Sequence, residues 1–140
     1  IALRTGLIDC ISSDHAPHSL EEKQRSFMNC PSGIPGLEIM LPLTWTLVEK
    51  NVISVSDIVK LMCRNPSRIL GLHRMGEIER GYVASMTLLK LGEEYKIKPE
   101  NFYSKAKYTP FENFAVKCRI HATIVKGKII FYDGEVIANK

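Results

Sequence analysis

Residues 7–19 read LIDCISSDHAPHS, and the reading of this stretch decides the fold. Apolar or small side chains run from Leu7 to Ser13 with only Asp9 intervening, which predicts a short, largely buried strand over 7–13. The strand gives way to Asp14. Pro17 then restricts Ala16 to extended backbone and forbids a helix, so Asp14 and His18 sit on a stiff loop rather than on one helical face. A strand that hands a carboxylate to the loop at its end suits the carboxyl edge of a parallel sheet, where α/β folds build their sites. The competing reading makes Asp14 a turn cap and the histidines surface polar groups. Three donors within five positions are a poor metal site by themselves, because catalytic zinc gathers ligands from distant segments. Ser12 and Ser13 have no glycine elbow around them, which argues against a nucleophilic triad.

Outward from this stretch, residues 19–35 are polar and turn-rich, a loop long enough to expect a functional role. Residues 36–50, GLEIMLPLTWTLVEK, predict a helix buried over much of its circumference, with Pro42 in its early turns and Met40, Leu41 and Trp45 in the core. A second helix is expected over 55–63 with Ser54 as N-cap and Asp57 in its first turn. NPSRILGL, residues 65–72, predicts a third, very short one in which Asn65 caps, Pro66 takes the first position and Gly71 ends it. Beyond Leu72 the texture becomes strand-like in MGEIERGY, ASMTLLKLG and ATIVKGKIIFYDGEVIAN. Lys126-Gly127 and Asp133-Gly134 are hairpin turn signals, so the last 20 residues are expected to form a β-meander. The aromatic, proline-punctuated segment between, KIKPENFYSKAKYTPFENF, reads as a wrapped surface segment.

The composition, 45% hydrophobic and 24% charged over 140 residues, is that of an ordinary soluble domain. No apolar run approaches the ~18 to 20 residues of a membrane span, and IALRTGLIDC lacks the pattern of a signal peptide. The chain also lacks an initiator methionine, which suggests that it begins partway through something larger. Cys10, Cys30, Cys63 and Cys118 are spread without a close pair, so reduced thiols in a cytoplasmic protein are expected. The formal net charge of +4 resides in the tail: residues 1–95 carry 10 basic and 11 acidic side chains, residues 96–140 carry 9 and 4. Its basic residues fall in pairs two apart, such as Lys117/Arg119, which on a strand share one face. No aromatic stacking series accompanies them, so a solvated strand face is expected and no nucleic-acid partner.

IDCISSDHAPHSLEEK followed by CPSGIPGLEIMLPL resembles the dihydroorotase family of the amidohydrolase superfamily. NPSRILGL, GEIERGYVASMTLL and YTPFENF are similar to its later segments in the same order. The resemblance covers essentially the whole chain, and DHAPH with its trailing EEK is its specific core. It implies an α/β fold: the last strand and C-terminal helices of a metal-dependent hydrolase (β/α)8 TIM barrel over 1–72, and the C-terminal part of the adjoining small β-sandwich with its wrapping segment over 73–140. The implied activity is the reversible, zinc-dependent closure of N-carbamoyl-L-aspartate to L-dihydroorotate in pyrimidine synthesis, in the cytoplasm.

Residue by residue, the resemblance makes Asp14 the aspartate at the end of the eighth barrel strand, a metal ligand and the general base and acid. A carboxylate beside zinc is chemically suited to take a proton from activated water and pass it to the leaving ring nitrogen. His18 matches the histidine that binds the substrate's carboxylate, and Ser32 and Gly33 match backbone that touches the substrate ring. His15 has no carried-over role and is expected to be structural or to line the rim of the site. Two departures stand out: the family commonly has a bulky apolar residue at Ser32, and an acid at Ser85, whose loss is expected to remove a structural polar contact. The remaining metal ligands and the substrate-holding arginine and asparagine have no counterpart here, so the 140 residues alone are expected to be inactive. Two further readings accompany this one. A noncatalytic dihydroorotase-like subunit would partner aspartate carbamoyltransferase, and an allantoinase or dihydropyrimidinase-type hydrolase would usually lack the second histidine of DHAPH. The resemblance leaves self-association open.

Overall fold

The computed structural model describes residues 2–137. It comprises a helical part and a four-stranded antiparallel sheet in the order β1-β2-β3-β4. The helices are α1 (Ala2–Thr5), α2 (Leu20–Lys23), α3 (Met40–Glu49), α4 (Val55–Val59) and α5 (Asn65–Ile69). The strands are β1 (Met86–Lys96), β2 (Ala115–Val125), β3 (Lys128–Tyr132) and β4 (Glu135–Val136).

The strand expected over 7–13 is not formed. Leu7, Ile8, Asp9 and Cys10 are exposed, and the stretch is tethered only at points: the Ile11 N–H donates to Leu61 O (3.1 Å) and Asn65 Nδ2 donates to Asp9 O (2.6 Å). A buried parallel strand takes both its ladder and its cover from neighbours. Among the described residues no strand stands beside this one.

Local chemistry explains the helix starts. Ser54 caps α4 by accepting from the Asp57 N–H (3.1 Å), while Asp57 accepts from the Ser54 N–H (2.8 Å), a reciprocal capping box. The short third helix is not separate. A single π-helical turn, Lys60–Arg64, joins α4 to α5, and Asn65, rather than capping, has helical angles and donates its N–H to Lys60 O five residues back. Pro66 has no N–H for the carbonyl one turn earlier, and a wider turn lets carbonyls find donors one residue further on. Gly71, at φ +65°, follows the end of α5 as expected.

In α3 the buried positions are Pro42 and Thr44, whereas Met40, Leu41 and Trp45 are only half-buried. Thr44 is tolerated inside because its hydroxyl donates to Met40 O (2.8 Å). The core cluster is Ile39, Ile97, Phe102 and Val116, with Leu43, Tyr95 and Phe111 packed against it. It joins the start of α3 to the inner face of β1 and β2.

The meander follows the turn chemistry. Lys126-Gly127 (φ +50° and +80°) and Asp133-Gly134 (φ +45° and +94°) have the two positive angles of a tight hairpin turn. On β2, Val116 and Cys118 are buried while Lys117 and Arg119 are exposed. Lys117 faces Glu94 (3.8 Å), and Arg119 lies 4.2 Å from the centre of the Tyr95 ring. MGEIERGY forms no strand. It bends through Gly76 and Gly81, both at positive φ, and Gly76 lies so close to the helical part that a Cβ there would meet Cys63 O at 2.7 Å. Ser85 keeps a polar contact despite its size: its Oγ accepts from the Lys126 N–H (3.1 Å) at the β2-β3 turn.

Candidate functional site

Two segments lie against each other at the candidate site. His15 and Ile34 form an isolated parallel bridge, and the Ala16 N–H donates to Ile34 O (3.1 Å). The approach is close enough to require glycine. A Cβ at Gly33 would stand 2.6 Å from Ala16 Cβ and 2.7 Å from Ala16 O, and a Cβ at Gly36 would stand 2.7 Å from Ser13 O. His15 accepts the Leu37 N–H on Nδ1 (3.2 Å), a structural contact and the first of the two roles expected of it.

Asp14 sits at φ +44° at the turn out of the strand-like stretch. Its side chain is exposed, and among the described residues no hydrogen bond or ion pair engages the carboxylate. The backbone of His18 is fixed from 90 residues away, donating its N–H to the Tyr108 hydroxyl (3.0 Å). Its ring is half-buried with Nδ1 3.9 Å from Glu22 Oε2. Glu22 is the far half of a second capping box: the Ser19 N–H donates to it (2.9 Å), and the Glu22 N–H donates to Ser19 Oγ (3.2 Å). The Ser19 N–H first, and its hydroxyl second, hold the Glu22 carboxyl below the usual carboxylate range, so the group facing His18 is an anion at neutral pH.

From α2 the chain runs through turns to Pro31, and Lys23 closes this loop. Its Nζ donates to Pro31 O (2.8 Å) and Gly33 O (3.2 Å) and stands 5.9 Å from the centre of the Tyr108 ring. Beside His18 opens a cleft of ≈ 540 Å³, bounded on the other side by Ser104, Lys105 and Ala106 of the wrapping segment. Neither Asp14 nor Ser32 lines it. The structure therefore joins Gly33 to the DHAPH loop and holds His18 at a cleft, while Asp14 and Ser32 are exposed.

Among the described residues no three His, Cys, Asp or Glu side chains converge as a metal site. Asp14, exposed and unengaged, fits the part of a single ligand in a site whose other donors come from elsewhere.

The capping box at Ser19 was open to sequence reasoning, since Ser-x-x-Glu is its signature. Lys23 and Tyr108 carried no such signal. A lysine in a polar loop reads as solvated, and the contact to Tyr108 spans most of the chain.

The amidohydrolase family model matches residues 1–130. The dihydroorotase of Methanothermobacter thermautotrophicus is 44% identical over 130 residues, covering 93% of this chain and 30% of that protein. That of Pyrococcus furiosus is 38% identical over 130 residues, with the same coverage of 93% and 30%. Among solved structures, the L-hydantoinase (dihydropyrimidinase) of Arthrobacter aurescens superposes with a TM-score of 0.92 at 32% identity, over 98% of this chain and 32% of that one. The D-hydantoinase of a Thermus species gives 0.91 at 26% identity, over 99% and 31%. The chain thus spans 30% of the length of the curated relatives named here.

Proposed function

The chain belongs to the amidohydrolase family, and we propose that within it the chain is the C-terminal portion of a dihydroorotase. That enzyme closes N-carbamoyl-L-aspartate to L-dihydroorotate and opens it again. The observation that carries the reading is the DHAPH loop: Asp14 carries an unengaged carboxylate, and His18 is held by its main chain with its ring at a cleft. The names and identities of the relatives support it. In this reading residues 7–13, which form no strand in this chain, would pair as the last barrel strand beside the rest of the full-length protein, with 1–72 the end of the barrel and 73–140 part of the adjoining sandwich.

Asp14 would hold zinc together with ligands from the portion of such a protein that this chain does not span. Bound there, zinc supplies Lewis-acid polarisation of the amide carbonyl and of water. The chain's own residues do the rest. Asp14 carries the proton between water and the ring nitrogen, a transfer within reach of a carboxylate at an exposed turn. His18 donates an N–H to the substrate carboxylate, and Ser32 and Gly33 present main chain to the ring. The loop from Ser19 to Pro35 walls the site. The substrate is a small molecule, the cytoplasm is the compartment consistent with its four free cysteines, and association with itself or with aspartate carbamoyltransferase is compatible with this assignment.

A second reading, a hydantoinase-type hydrolase, is favoured by the superposition on the Arthrobacter aurescens enzyme. His18 discriminates between the two, since a cyclic ureide without a carboxylate gives it no anion to bind.

The test is steady-state kinetics of the full-length enzyme. Asp14→Asn should reduce turnover by roughly 10²- to 10⁴-fold while substrate binding survives. His18→Ala should act mainly on KM. Equal losses in both parameters for both variants would sink this division of roles, and turnover of hydantoin without dihydroorotate would favour the second reading. The 140-residue chain alone should be inactive even with added zinc.

A further inference from the structure

We propose that Lys23 is a positioning residue that braces the substrate-contacting arm, tying the Pro31–Gly33 backbone and the His18 backbone into one unit. The inference rests on the dihydroorotase reading, in which Ser32, Gly33 and His18 touch the substrate. Lysine normally sends its ammonium to water. Here α2 is launched by the Ser19–Glu22 capping box, and its last residue turns back into the loop. The ammonium meets two main-chain carbonyls, Pro31 O at 2.8 Å and Gly33 O at 3.2 Å, and no carboxylate is paired with it among the described residues. Charge-assisted bonds to two carbonyls fix both peptide planes. Because C=O and N–H point oppositely across a planar trans peptide, holding the Pro31 carbonyl toward Lys23 turns the Ser32 N–H the other way.

The same ammonium lies 5.9 Å from the centre of the Tyr108 ring, whose hydroxyl accepts the His18 N–H at 3.0 Å. One cation thus links the loop that carries Gly33, the wrapping segment that carries Tyr108, and the histidine. Glu22, His18 and Lys105 line the cleft beside His18, with His18 Nδ1 3.9 Å from Glu22 Oε2.

The experiment compares Lys23→Met, Lys23→Arg and Tyr108→Phe in the full-length enzyme. Lys23→Met should raise KM for dihydroorotate by about 10-fold or more with kcat changed less than about 3-fold. Lys23→Arg, which can still donate to two carbonyls, should recover most of that KM loss. Tyr108→Phe removes the acceptor of the His18 N–H and should also raise KM. A fall in kcat with KM untouched, or an arginine variant no better than methionine, overturns the proposal. Should Lys23→Met not fold, Tyr108→Phe decides it: a raised KM supports the proposal and an unchanged KM overturns it. If the wild-type enzyme turns over no dihydroorotate, the functional reading fails by itself. The brace is then judged by hydrogen exchange of the Ala16 amide, which donates to Ile34 O on the braced arm: acceleration of about 10-fold or more in Lys23→Met supports it and unchanged exchange overturns it.

Discussion

Replacing Gly33 by alanine tests whether the two halves of the candidate site are held together by close backbone approach. Gly33 has φ +109°, a conformation that an L-residue adopts only at a cost of about 1–3 kcal/mol. The new Cβ would lie 2.6 Å from Ala16 Cβ and 2.7 Å from Ala16 O. Both are main-chain or first-carbon atoms with no flexible end to swing away, so the segments must separate. Separation forfeits the 3.1 Å bond from the Ala16 N–H to Ile34 O, worth about 0.5–1.5 kcal/mol. A total near 3 kcal/mol corresponds to opening about 100-fold more frequent. Hydrogen exchange of the Ala16 amide in the native full-length protein reads this directly. Gly71→Ala is the control: its φ is +65° and nothing lies within 4 Å of the new Cβ, so it carries strain alone, about 1 kcal/mol. If Gly33→Ala speeds Ala16 exchange less than about fivefold, or no more than Gly71→Ala does, the close-approach argument is wrong.

Two further outcomes concern stability. Burial first, and Glu49 second, push the Cys118 thiol up to about 11. A folded value raised above the unfolded ~8.5 stabilises fully below the unfolded value, and that stabilisation is lost as pH rises through about 11. Urea midpoints should therefore drop across this alkaline window, and the drop should shrink in Cys118→Ala; an identical pH profile in the variant refutes the assignment. At the start of α4 the Ser54 N–H first, and its hydroxyl second, hold the Asp57 carboxyl below its ordinary value. The capping box is intact above the ordinary carboxylate range and is lost as pH falls through the lower folded value. Ser54→Ala should cost about 1 kcal/mol, and Asp57→Asn should flatten the acid dependence of exchange in α4; a variant with wild-type acid dependence would count against the box.

Much of this fold was legible because short-range chemistry writes it. The Ser54–Asp57 box starts α4, Gly71 follows the end of α5, and the Lys126-Gly127 and Asp133-Gly134 pairs turn the meander, each within a few residues of its cause. Pro17 stiffens the DHAPH loop by the same local logic, and the family is readable in that loop. What depended on distant partners was not legible. The apolar run over 7–13 reads as a strand by its pattern, but a ladder needs a neighbour, and Leu7 and Ile8 stay exposed. Trp45 yields the core to Ile39, Ile97, Phe102 and Val116, because which face of α3 is buried depends on where the sheet lies. Lys23 turns inward only because Pro31, Gly33 and Tyr108 come to meet it. By itself the sequence determined the turns of the meander, the Ser54 cap of α4 and the family. Tertiary structure alone decided what the backbone of His18 leans on, since a contact spanning 90 residues leaves no periodicity in the chain for a reader to find.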